Sequence, residues 1–358
     1  MDPEIIITNL KRTYTGVSGT ISALLPIQVL TKKIAFVGKK VPGVELAKNI
    51  NPENFIYLSI WQAIKISLNK SKKGSPRIWH VRRDHEMILT IFMRDVLRMP
   101  IKIIFTSAAK HKHSWFPRWL ISKMDGVIAT TEEAAKLVPN TIKIISHGAN
   151  LNQFKYPNNK LNIWQRTGFP GKYGIGIFGR VRPSKGTDFF VKAMIELLPL
   201  FPEFTAVIIG KNSFKYKKFK KGLENLIEKS SLNDRIFFLG ELSDNEIPYW
   251  YQNITIMVAC PRYEPFGITP LEAMACGCAV VATKTGAFEK IISNNETGII
   301  VPVNNLASLI IALKELMSDP NKIENMGVNG LNRVASFFSV EKEAENINEV
   351  YKKILLKK

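Results

Sequence analysis

The chain has 358 residues and carries 50 Lys+Arg against 30 Asp+Glu, a formal charge of +20. That length predicts two domains of ordinary size, and 46% hydrophobic with 22% charged residues excludes wholesale disorder. Three cysteines, Cys260, Cys276 and Cys278, make no C-x-x-C pair, which speaks against a disulfide framework or structural zinc and for a reducing compartment. The first residues lack a basic-then-apolar leader pattern, and no run approaches the roughly 18 apolar residues of a spanning helix. A cytoplasmic chain is therefore expected.

The charge is uneven. Residues 1–150 hold 23 Lys+Arg and 10 Asp+Glu, a net of +13, against +7 for the remainder. All five histidines and four of six tryptophans also lie in this basic half. Such asymmetry points to an anionic partner: nucleic acid, a membrane face or an acidic substrate.

Short apolar runs alternate with longer amphipathic stretches, the pattern of parallel α/β sheets. In the first half 5–8, 33–37, 55–58, 78–80, 101–106, 126–129 and 142–146 read as strands, with helical spacing over 83–97 and 115–124. Polar residues and turn formers mark 154–172 as a linker. Beyond it, strands are predicted at 174–178, 205–209, 235–239, 254–258 and 279–282. Helices are predicted at 188–198 and 217–230, after Asp244, after Thr269, and around 307–317. The reading is thus an N-terminal domain 1–153, a linker 154–172 and a C-terminal domain 173–339, with a last helix, 340–358, crossing back onto the first domain. Two doubly wound, Rossmann-like domains facing each other across a cleft would bind ligands at the C-terminal ends of their strands.

Two segments carry chemistry. Phe178-Gly179-Arg180-Val181-Arg182-Pro183-Ser184-Lys185-Gly186 follows a predicted strand. Gly179 permits close backbone approach, and Arg180 with Lys185 can converge on a diphosphate. The second is Arg262-Tyr263-Glu264-Pro265-Phe266-Gly267-Ile268-Thr269-Pro270-Leu271-Glu272. Thr269 and Glu272 have capping-box spacing, which offers Glu272 a purely structural job. Glu264, in a loop bent by Pro265 and Gly267, has no such job. Two carboxylates beside free backbone N–H groups suit sugar hydroxyls and phosphate oxygens. No D-x-D triplet occurs, so a metal-held diphosphate is not expected.

Together these segments resemble the retaining family 4 glycosyltransferases of GT-B fold, over about residues 174–340. The resemblance implies that Arg180 and Lys185 bind the donor diphosphate, Glu264 the donor sugar and Glu272 the nucleotide ribose. Phe266, Gly267 and Ile268 would offer main-chain N–H groups, and Gly240 would line the base pocket. Gly16 and Gly19 match the family's glycine-rich loop facing the donor phosphates. Arg180, Lys185 and Glu264 are the expected catalytic residues, acting without a metal or other cofactor, with the nucleotide sugar as co-substrate. One departure stands out: many members carry a histidine after the strand matching 101–106, where this chain reads Ser107-Ala108-Ala109.

The acceptor is expected on the basic half. Arg82 and Arg83 open a predicted helix, and arginine forks suit carboxylates and phosphates. Lys110, Lys112, Trp115, Phe116, Arg118 and Trp119 interleave bases with aromatics, as a patch on an anionic leaflet would; the competing reading packs Trp115 and Trp119 into the core. The segments around 78–83, 105–109 and 119–130 resemble bacterial lipopolysaccharide core mannosyltransferases. That resemblance implies mannose transfer from GDP-mannose to the inner-core Kdo of lipid A, at the inner face of the cytoplasmic membrane. The alternative is a relative using UDP-glucose or UDP-galactose on another lipid-linked or polysaccharide acceptor. A nucleic-acid binder or a non-catalytic glycan binder is the remote rival, since no standard nucleic-acid motif is present.

Overall fold

The computed structural model describes residues 1–11, 13, 15–109 and 111–356. The chain forms two compact units, Met1–Gly148 with Val340–Lys358, and Ala149–Ser339.

The first unit holds seven strands, β1 (Ile5–Asn9), β2 (Ile34–Gly38), β3 (Phe55–Leu58), β4 (Arg77–Val81), β5 (Ile101–Ser107), β6 (Gly126–Ala129) and β7 (Thr141–Ile144). They pair in the order β3-β2-β1-β4-β5-β6-β7, every pair parallel. Both faces of the sheet are covered, so β1 reads as an unbroken apolar run rather than an alternating one. Ile5 and Ile7 pack on one face with helices Gly16–Gln28 and Val340–Leu356. Ile6, Trp79 and Ile103 pack on the other with Leu120 and Ile121 of helix Trp115–Ser122. The last helix docks through Val340, Ala344, Ile347, Tyr351 and Ile354, a stripe at steps of three and four residues.

The second unit holds β8 (Tyr173–Phe178), β9 (Phe204–Ile209), β10 (Ile236–Gly240), β11 (Ile256–Ala259), β12 (Ala279–Thr283) and β13 (Gly298–Val301). Their order is β10-β9-β8-β11-β12-β13, again all parallel. In each sheet the order reverses beside the first strand, between β1 and β4 and between β8 and β11. Chain crossovers leave in opposite directions there and open a crevice at the C-terminal strand ends.

Several expectations need revision. Residues 154–172 are packed into the second unit, because Phe154, Ile163 and Trp164 are buried. Gly16 and Gly19 lie in the first turns of helix Gly16–Gln28, where the sequence suggested a loop. Pro26 is tolerated near the end of that helix, where its ring removes only the hydrogen bond to the Ser22 carbonyl. Helix Pro320–Phe337 has no counterpart in the sequence reading. It starts at Asp319, whose side chain accepts from the Lys322 N–H at 3.0 Å. Gly327 and Gly330 let it close on helix Thr269–Ala275: a Cβ at 327 would stand 2.2 Å from the Gly277 carbonyl oxygen.

Candidate active site

In the second unit the two chemistry-bearing segments leave adjacent strands at the crevice. The turn after β8 begins at Gly179 (φ +136°), whose N–H bonds the Ile209 carbonyl at 2.8 Å. A tight turn over Pro183–Lys185 follows, closed by Gly186 (φ +76°), where a Cβ would meet the Cys260 carbonyl oxygen at 2.0 Å. Only glycine serves at Gly186, for both backbone angle and space.

The turn aims Lys185 at the loop after β11, where its ammonium is ion-paired with the Glu264 carboxylate. Both side chains are largely shielded, at 24% and 14% exposure. Arg180 is exposed, with no side-chain partner among the described residues. The structure therefore brings Lys185 and Glu264 together and leaves the Arg180 guanidinium free for an anion.

Arg262 binds the same two segments and was not singled out from the sequence. Its guanidinium forks onto Asp188 at 2.8 and 2.7 Å, it donates to the Pro183 carbonyl, and its N–H bonds the Ser184 carbonyl at 3.1 Å. The available signal was Asp188 opening a predicted helix, with an arginine four residues after a predicted strand.

Glu272 takes neither role of a capping box. Helix Thr269–Ala275 is preceded by Ile268 in helical geometry, so Thr269 is already inside the first turn and caps nothing. The carboxylate instead accepts from the Tyr251 hydroxyl at 3.1 Å. Burial pushes the Glu272 carboxyl up to about 7; the Tyr251 hydrogen bond opposes this rise and Asp244 adds to it. Tyr251 is fully buried, stays protonated through burial, and stacks on Phe178 at 3.9 Å between ring centroids. Gly267 (φ +87°) bends the loop against Phe288, while Phe266 is buried and its carbonyl accepts from the Ala287 N–H. The N–H groups of Gly267 and Ile268 donate to nothing among the described residues. Gly240 (φ +79°) ends β10, with open space where a Cβ would stand. One rim thus presents two cations, two carboxylates and free main-chain donors, complementary to a phosphorylated sugar.

Residues 159–333 match the family "Glycosyl transferases group 1". The lipopolysaccharide core biosynthesis mannosyltransferase LpcC of Rhizobium leguminosarum bv. viciae is 40% identical, over 99% of this chain and 97% of its own length. LpsB of Rhizobium meliloti, of the same description, is 40% identical over 99% of this chain and 98% of its own. The chain belongs to the group 1 glycosyltransferases. The C-terminal domain of a group 1 transferase (LpcC) from Francisella tularensis is 39% identical, with a TM-score of 0.52, covering 54% of this chain and 99% of that domain. Anabaena HepE in complex with UDP and glucose has a TM-score of 0.80 at 16% identity, covering 98% of this chain and all of that one, and shares the GT-B fold.

In the first unit the transferase uses Arg83 internally. Its guanidinium donates to Asn9 at 2.9 Å and Glu86 at 3.2 Å, and reaches Thr15 and Ser18 at 3.3 and 3.4 Å. Glu86, fully buried, also accepts from the N–H groups of Leu10 and Arg82 at 3.0 and 2.8 Å. This knot ties the ends of β1 and β4 and engages internally the Arg83 fork that was expected to meet the acceptor. The Arg82 side chain turns toward a small cavity with Thr20, Thr106, His147 and Glu343, and its Nη1 is buried without a partner among the described residues. Gly16 and Gly19 stand beside this knot, in the helix that Ser18 anchors to Asn9 at 3.3 Å.

Two of the five histidines hold structural places. His80, kept neutral by burial, bonds Tyr351 at 2.6 Å and Thr106 at 2.7 Å, and His147 bonds Glu343 at 2.8 Å.

Trp115, Phe116 and Trp119 are exposed at 76%, 43% and 41%, so the core-packing reading of the tryptophans fails. Lys112 is exposed and Arg118 half-buried beside them, and Lys110 lies outside the described residues. The neighbouring helix over 84–91 and the turn after it add exposed Ile88, Phe92, Val96 and Leu97, which the sequence reading placed in no patch. Among the described residues no helix is long and apolar enough to cross a membrane.

Proposed function

We propose that this transferase moves mannose from GDP-mannose to the inner-core Kdo of lipid A, with retention of configuration and without a metal. The observation that carries this reading is 40% identity along 99% of the chain to two proteins described as lipopolysaccharide core mannosyltransferases. The rim of the second unit suits such a donor. Arg180 and Lys185 take the diphosphate, Glu264 the mannose hydroxyls and Glu272 the ribose hydroxyls, with the Gly267 and Ile268 N–H groups and Gly240 completing the pocket.

The C1–O bond to the donor phosphate breaks first, leaving oxocarbenium character on the sugar. Arg180 and Lys185 offset the charge gathering on the leaving phosphate, the largest electrostatic contribution the chain offers. The acceptor hydroxyl attacks C1 from the same face, and its proton passes to the departing phosphate oxygen. Glu264 holds Lys185; a bound diphosphate would compete for that ammonium and release the carboxylate toward the sugar.

The acceptor is acidic and lipid-borne, which fits the basic first unit. Arg82 is its candidate contact, and the aromatic surface around Trp115 and Trp119, with Lys112 and Arg118, its support on the inner face of the cytoplasmic membrane.

Calorimetry with GDP-mannose, UDP-glucose and UDP-galactose, followed by transfer to Kdo-lipid A, tests the reading. GDP-mannose should bind most tightly, and labelled mannose should reach the lipid. Tight UDP-sugar binding with no response to GDP-mannose overturns the donor assignment in favour of the UDP-sugar alternative.

A further inference from the structure

The second unit carries a basic face that the transfer reaction does not use. Between Lys211 and Lys221 the chain reads Lys-Asn-Ser-Phe-Lys-Tyr-Lys-Lys-Phe-Lys-Lys, six lysines without one acidic residue. The segment runs from the loop after β9 into helix Lys217–Lys229. Leu223 and Ile227 are buried in the core of the unit and fix the rotation of that helix. Lys217, Lys218 and Lys221 are consequently exposed, and Lys211 and Lys215 before the helix are exposed as well. Lys211 pairs with Glu241 at 2.5 Å and Lys220 with Glu224; Lys215, Lys217, Lys218 and Lys221 have no carboxylate partner among the described residues.

Two features separate this face from an ordinary solvated helix. The first turn holds lysines and no acidic residue, the reverse of what the helix dipole favours, so helix stability does not explain the arrangement. At its start Phe214 is 84% exposed, with the Lys217 ammonium 4.8 Å from its ring centroid. A free phenyl ring among lysine stems matches a bilayer interface, where rings settle at headgroup depth and ammonium groups meet lipid phosphates. Clusters of four to eight such charges on an amphipathic helix suit anionic lipid. The face also adjoins the proposed donor site, since the Val181 N–H bonds the Lys211 carbonyl at 3.0 Å.

We propose that the face formed by Phe214, Lys215, Lys217, Lys218 and Lys221 binds the surface of an anionic bilayer, as a contact of the second unit distinct from the Trp115–Trp119 surface of the first. It depends on neither the donor nor the acceptor assignment.

The test is co-sedimentation of the full chain with vesicles of phosphatidylcholine alone and of phosphatidylcholine mixed with phosphatidylglycerol. Binding should require phosphatidylglycerol and weaken with salt. The triple variant Lys217→Glu, Lys218→Glu, Lys221→Glu should bind at least about 100-fold more weakly. Its melting temperature should hold, since two of its glutamates enter the first helical turn in the favoured sense. Phe214→Ser should weaken binding roughly tenfold. The variant Trp115→Ser, Trp119→Ser reports on the other surface: if it binds as wild type while the lysine variant does not, the proposal stands alone. Wild-type vesicle binding by the lysine variant overturns it. So does equal loss of affinity for vesicles and for soluble polyphosphate with Phe214→Ser silent, which marks a site for free polyanions.

Discussion

Tyr251 donates its hydroxyl hydrogen to Glu272 at 3.1 Å while its ring lies on Phe178, the residue before the basic turn. One buried side chain thus braces the proposed ribose carboxylate and the strand end that carries the diphosphate cations.

Tyr251→Phe keeps the ring stack and removes only the hydroxyl. A hydrogen bond to a charged group is worth roughly 1.5 kcal/mol, so donor affinity should fall about tenfold near neutral pH, with kcat little changed. Glu272 sits at about 7 through burial, and hydroxyl groups of the ribose are best held by its ionised form. Wild-type donor affinity should therefore improve as pH rises through 7, and Tyr251→Phe should move that improvement to higher pH. Stability runs the other way: a carboxyl raised by folding adds stability below its ordinary range that is lost as pH rises through about 7. Calorimetric titrations across this window check both, and a flat wild-type profile would remove Glu272 from ribose binding.

Lys185→Ala and Glu264→Ala should each cost at least about 100-fold in transfer while leaving the fold intact. The measurement pairs turnover of labelled nucleotide sugar with thermal melting. Near-normal turnover in either variant would sink the assignment of this pair.

Arg262→Ala should separate positioning from contact. Loss of the fork on Asp188 frees the turn before Gly186 and should lower kcat/KM about tenfold, with stability reduced by about 1–2 kcal/mol. Arg262→Lys should restore stability more than activity, because an ammonium cannot reproduce the planar fork. Equal rescue of both would make the pair purely structural.

Arg83→Ala should destabilise the first unit without changing acceptor use. It leaves the fully buried Glu86 without its guanidinium, a loss of about 3 kcal/mol and a fall in melting temperature of roughly 5–10 °C. An unaltered melting temperature with a raised acceptor KM would return Arg83 to the acceptor site.

Much of this protein was legible in its amino-acid order. Buried parallel strands show as continuous apolar runs, so β1, β5, β8 and β12 stand out without any partner being known. The basic turn at Arg180 and Lys185 and the pair Glu264 and Glu272 are local patterns at fixed spacing; by themselves they suggested a site for sugar hydroxyls and phosphate oxygens, and their family resemblance implied a nucleotide sugar. Helix Pro320–Phe337 was hidden because Gly327 and Gly330 look like breakers until the helix beneath them is seen to require small residues. The partner of each charged group also stayed hidden. Arg82 and Arg83 are neighbours of one type, yet the fold commits Arg83 to Glu86 and Asn9 and turns Arg82 into a cavity. Glu272 had a capping partner three residues away on paper and took Tyr251, twenty-one residues away, in space. Local patterning specifies elements because backbone preference and apolar periodicity act over a few residues. A polar side chain's role depends on which groups tertiary packing brings within about 3 Å and removes from water, and only the folded structure decides that.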